Sequence, residues 1–142
     1  KPDKVQVCMQ WLKHYSCVVS DAEVTDHQLR LLHPSLYALM GVRPGRLYNT
    51  VWKNGYTGCC MAFRRNVLEA SLPFPQDIPM HDIWIGNVAA YQYNVKFISE
   101  KLVLFRRHDH VISCNGKGSR FSLCQKIKFR INTIYHVIRL FV

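Results

Sequence analysis

Leu102-Val103-Leu104-Phe105 is apolar at four successive positions. Side chains alternate across a strand, so such a run reads as a strand buried on both faces. Cys17-Val18-Val19, ending at Ser20-Asp21, reads as a second, short buried strand. Around these runs lie helical stripes. Val5, Met9 and Leu12, with Val7 and Trp11, predict a helix over 2–14, and Pro2 suits its first turn. Ile127, Ile131, Ile134 and Ile138 form another stripe in a helix that starts near Phe121. Helices and strands alternate, so the expected class is α/β.

Between these landmarks the signals are shorter. Residues 22–45 predict a partly irregular excursion, with a short apolar helical patch at Leu31, Leu32, Leu36, Leu39 and Met40, broken by Pro34 and stopped by Gly41 and Pro44. A short helix is expected over 46–53, halted by Asn54-Gly55, then a strand over 58–63. A helix through Ala70 precedes a loop with prolines at 73, 75 and 79. Asp82 is expected to N-cap a helix running to about Gln92. Val95 to Ile98 and Lys101 to Arg107 read as two strands joined by a tight turn. Gly116 to Ser119 reads as a loop.

The net charge of +10 is uneven, since residues 101–142 carry +8 of it. A basic end suits nucleic acid, anionic lipid or a phosphorylated substrate, or is a solvated face. No run of 18 apolar residues is present, so no spanning helix is predicted. Lys1 to Lys4 leads into an amphipathic stretch, which does not read as a signal peptide. Six cysteines at 8, 17, 59, 60, 114 and 124 include no Cys-x-x-Cys. They read as reduced, with Cys8, Cys17, Cys59 and Cys60 packed as small hydrophobes, and the protein as cytoplasmic.

Three groups can carry chemistry. Asp82, at a helix start, is both a good cap and a carboxylate able to take the proton of an attacking hydroxyl. His81 lines a pocket or merely sits in a turn. Trp84 stacks on a ring or anchors the helix in the core. Arg106 and His108 share one face if the last strand continues, where they can meet a diphosphate and its metal or remain solvated. Gly58 permits close backbone approach to a ligand or ends a turn.

Leu72-Pro73-Phe74-Pro75 followed by His81-Asp82-x-Trp84, then Leu102 to His108 with Ser113, resembles the second half of the family 2 glycosyltransferases. Lys1 to Val5, Val18 to Ala22 and Gly58 to Arg65 follow in matching order. The likeness spans 1–122 and is strongest to bacterial rhamnosyltransferase-like members. It implies a partial GT-A-like domain over 1–122, lacking its N-terminal nucleotide-binding strands, followed by a basic amphipathic helix over 123–142. It further implies inverting transfer of a sugar from a nucleotide-diphosphate sugar to a glycan or lipid-linked acceptor in cell-surface polysaccharide synthesis. Asp82 would be the general base and Arg106 would assist the diphosphate. Gly58, Cys59, His81 and Trp84 would line the acceptor side. His108 would ligate a magnesium or manganese ion whose acidic ligands lie outside this chain.

The expected consequences are that these 142 residues alone are inactive, and that a sheet edge and apolar surface are exposed. The terminal helix either packs on the body or lies on an anionic membrane, which would place the protein peripherally on the inner face of the cytoplasmic membrane. The competing expectation is a non-catalytic basic module binding RNA or another polyanion. The transferase reading expects no nucleic acid.

Overall fold

A computed structural model describes residues 1–78, 80–107 and 121–141. Its centre is β1, Cys17–Thr25, longer than the short strand expected. β1 pairs antiparallel with β3 (Met61–Phe63) near its start and with β2 (Leu31–His33) near its end, so Leu31 and Leu32, expected in a helical patch, are in a strand instead. Along its other side it pairs in parallel with β4, Val95–Arg106. The result is a small mixed sheet in an α/β chain, as the alternation of elements implied. Among the described residues nothing pairs with the outer edge of β4.

β4 is one strand, where two with a tight turn were expected. Ile98 pairs with Ser20 and Lys101 with Asp21, so Ser99 and Glu100 bulge outward together. Glu100 uses that position to accept from the indole of Trp11 at 3.1 Å. The irregularity also changes which face β1 presents. Cys17 and Val19 enter the main core before it, whereas Ala22 and Val24 enter the same core after it. A second irregularity leaves Leu102 unpaired between Lys101 and Val103, so β4 has three extra residues in all, an odd number, and the β1 positions that share its core face change parity.

α1 (Lys4–Trp11) covers one face of the sheet, packing Cys8 with Val18, Ile98 and Leu102. The other face is covered by α2 (Leu36–Met40), α3 (Arg65–Ser71) and α4 (His81–Gln92). Ser35 caps α2 through its hydroxyl, and Gly41 closes it at φ 61°. Buried Asp21 ties β1 to this corner. Its carboxylate accepts from Ser35 Oγ at 2.6 Å and from the Tyr37 and Ala22 N–H groups at 2.9 and 2.8 Å.

α5, Leu123–Arg139, begins with a reciprocal capping box between Ser122 and Gln125. Its inward residues are Thr133 and Val137, and Val137 packs with Trp84 and Val88 of α4. The isoleucine stripe does not make this contact. Ile127, Ile131 and Ile138 stay exposed. No helix among the described residues is long and apolar enough to cross a membrane.

Candidate functional site

Asp82 is the second residue of α4, and the N-cap is Met80, which supplies no side-chain bond. The expected capping role is therefore corrected: the carboxylate reaches sideways to another segment. Its Oδ2 accepts from the Gly58 N–H at 3.0 Å, across 24 residues of sequence. Its Oδ1 accepts from Ile83 N at 2.9 Å. The positive end of α4 faces the same group. Each carboxylate oxygen has two acceptor sites, so one on each remains for a hydroxyl donor. Asp82 is only partly buried.

The partner of Asp82 is a 3₁₀ turn, Gly58–Cys60, where a strand was expected. Strand pairing begins only at Met61, opposite Val19. A Cβ placed on Gly58 would lie 3.5 Å from Asp82 Cβ and Oδ2, ordinary van der Waals contact. Glycine is thus not demanded there by space.

Two buried amides and one ring hold the turn against α4. Asn49 accepts from Gly55 N at 2.7 Å and donates to Arg43 O and Gly45 O, fixing the loop before the turn. Asn87 donates to Ile83 O at 2.8 Å and meets the Thr50 hydroxyl through its other end. The Tyr56 ring lies on Gly86, one helical turn beyond Asp82. Sequence reading did not single out these residues. Their signal is faint: an Asn within each of two helical stretches and a Gly in the middle of α4.

Cys59 is exposed beside Asp82, and Lys4 Nζ donates to its carbonyl at 2.7 Å. Its thiol is lowered to about 7 by the hydrogen bond with Cys60, 4.0 Å away between sulfurs, and by the Lys4 ammonium. The buried Cys60 thiol is pushed up by that same partner and by desolvation. His81, first residue of α4, is exposed near this corner. Gly58, Cys59, His81 and Asp82 are therefore brought together.

Trp84 is not part of that surface. It is 4% exposed, its indole donates to Ser71 O at 2.9 Å, and His136 meets it edge-on. The core-anchor alternative holds, and no ring face is open for stacking. Arg106 lies at the far end of β4, opposite Thr25. Cys60 O is bonded to Ser20, five residues earlier on β1. At strand rise, about 16 Å of sheet separates the two levels. His108, and Ser113 with it, lie outside the described residues. No group of three or more His, Cys, Asp or Glu among the described residues could hold a metal ion. The resemblance places that ion's acidic ligands outside this chain, so the described residues do not bear on it.

A concavity of about 620 Å³ between α1 and the start of α3, walled by Met9, Leu12, Phe63 and Arg64, does not include Asp82. Comparison with protein-family models, curated proteins and solved structures finds no match.

Proposed function

We propose that the chain is the acceptor-side part of an inverting sugar transferase of GT-A-like architecture, with Asp82 as its general base. The observation that supports this most is the fixed carboxylate at the start of α4, oriented by Gly58 N and Ile83 N and flanked by exposed Cys59 and His81. In the transfer step the acceptor hydroxyl gives its proton to Asp82 as its oxygen bonds the anomeric carbon. The bond from that carbon to the leaving diphosphate breaks, and its electron pair departs on the diphosphate. Attack from the opposite side inverts the anomeric centre.

The test uses the polypeptide encoded by the whole in-frame coding region. It is incubated with a panel of nucleotide-diphosphate sugars and a cell-envelope glycolipid extract. Mass spectrometry reads sugar addition, and NMR reads the anomeric configuration. An inverted product is expected. Retention of configuration, or no addition from any donor, would overturn the proposal. A polyanion-binding module would give no product and would bind its ligand equally well after Asp82→Asn.

A further inference from the structure

The π-helical segment Tyr48–Trp52 and α5 form one surface. Arg130 joins the two. Its guanidinium donates to the carbonyls of Asn49, Thr50 and Trp52 at 3.0–3.1 Å. Trp52 is 76% exposed beside that junction, and Val51 is exposed next to it.

On α5, Leu123, Ile127, Ile131 and Ile138 are all exposed, Ile131 at 60%. At 100° per residue these four fall within an arc of about 80°. Arg130 and the Trp52 junction border the arc on one side, and Lys128 and Arg139 border it on the other. Residues 43–53 and 121–141 together hold seven Lys and Arg and no Asp or Glu. The combination is an apolar strip with an exposed indole, framed by cations; the acid nearest α5, Asp77, is held by His136 on the side away from the strip.

We infer that this face lies in the interfacial layer of an anionic bilayer, with α5 parallel to the membrane plane. Apolar side chains with an indole suit the boundary between headgroups and acyl chains, and the cations suit anionic headgroups. A nucleic acid would use the charges but would leave the isoleucines in water. The inference stands on this surface alone and does not depend on the role of Asp82.

Co-sedimentation of the full chain with vesicles tests it. Vesicles of phosphatidylcholine alone are compared with vesicles in which phosphatidylglycerol supplies a negative surface potential. Binding is expected only to the anionic vesicles. Ile131→Asp should weaken it at least about tenfold, from the lost burial of one aliphatic side chain. Lys128→Gln should weaken it roughly fivefold. Both sites are exposed, and an unchanged melting temperature confirms that the variants fold. Comparing emission with Trp52→Phe should assign a blue shift on binding to Trp52. The inference is overturned by absent binding, by binding indifferent to Ile131→Asp, by stronger binding to single-stranded RNA that survives that substitution, or by a dimer that the substitution dissociates.

Discussion

Replacing Gly86 by alanine probes how α4 is seated, and through it how Asp82 reaches Gly58. In an exposed helix the change would add about 1 kcal/mol of stability, because alanine is the better helix former. Here the new Cβ would stand 2.5 Å from Tyr56 Cδ2 and nearer still to Cγ and Cδ1. Ordinary carbon contacts begin near 3.5 Å, so ring or helix must retreat by about 1 Å. Tyr56 is fully buried and packs on Phe97 at 5.7 Å between ring centroids, which leaves little room to retreat. Overpacking of this kind costs about 3 kcal/mol at the upper end of the usual range. The net loss is about 2 kcal/mol, or a fall in Tm of about 6–8 °C for a domain of this size. Thermal unfolding followed by circular dichroism measures it. A double variant with Tyr56→Leu should recover part of the loss, because the clash disappears with the ring. An alanine variant as stable as the parent, or more stable, would refute the packing argument.

Three further outcomes are expected. Trp84→Ala should cost about 3–5 kcal/mol in urea unfolding, since it empties a buried site and leaves Ser71 O without its donor. A stable variant altered only in acceptor KM would restore the stacking role. Cys59 should be the first cysteine alkylated by iodoacetamide, at a rate rising through about pH 7, while Cys17, pushed up to about 12 by burial, stays unmodified in the folded chain. Lys4→Gln should move that profile upward, and an unmoved profile would remove Lys4 from the account. Asp77 is held below the usual carboxylate range first by its hydrogen bond with His136, at 2.6 Å. A lowered folded pKa gives stability that is present above the unfolded value of 3.8 and lost as pH falls through the folded one. The difference in Tm between the parent and Asp77→Asn should therefore shrink below about pH 4, and a constant difference would count against the pair.

The parts of the fold visible in the sequence are those with local periodicity. The first helix and α5 follow from apolar spacing, α4 from a helix start expected at Asp82, and α3 from the apolar residues between Arg65 and the prolines. β4 reads as two strands in the sequence because Ser99-Glu100 looks like a turn. The bulge that carries them depends on β1, some eighty residues earlier. Gly58 to Cys60 reads as strand by composition, but its first N–H is taken by a carboxylate 24 residues away, and the chain coils there instead. Asp82 likewise looks like a cap until that distant donor is known. Trp84 carries no sign in its neighbours of which way its ring turns. Burial by Val88 and Val137 decides it, and Val137 lies fifty-three positions downstream. The isoleucine stripe was legible as a stripe, but its direction was not. α5 is oriented by Arg130 and by small inward contacts at Thr133 and Val137, not by its most apolar face.

The most direct measurement of the central claim is the transfer rate of Asp82→Asn beside the parent, made from the whole reading frame and assayed with the donor found to be active. Asparagine keeps one oxygen able to accept from Gly58 N, while its amide nitrogen cannot accept from Ile83 N, so the turn should hold at a loss of about 1 kcal/mol. A lost general base predicts a fall in kcat of about 10²–10⁴. A rate within about threefold of the parent, far short of that range, would show that Asp82 only fastens the Gly58 turn and that the base lies elsewhere.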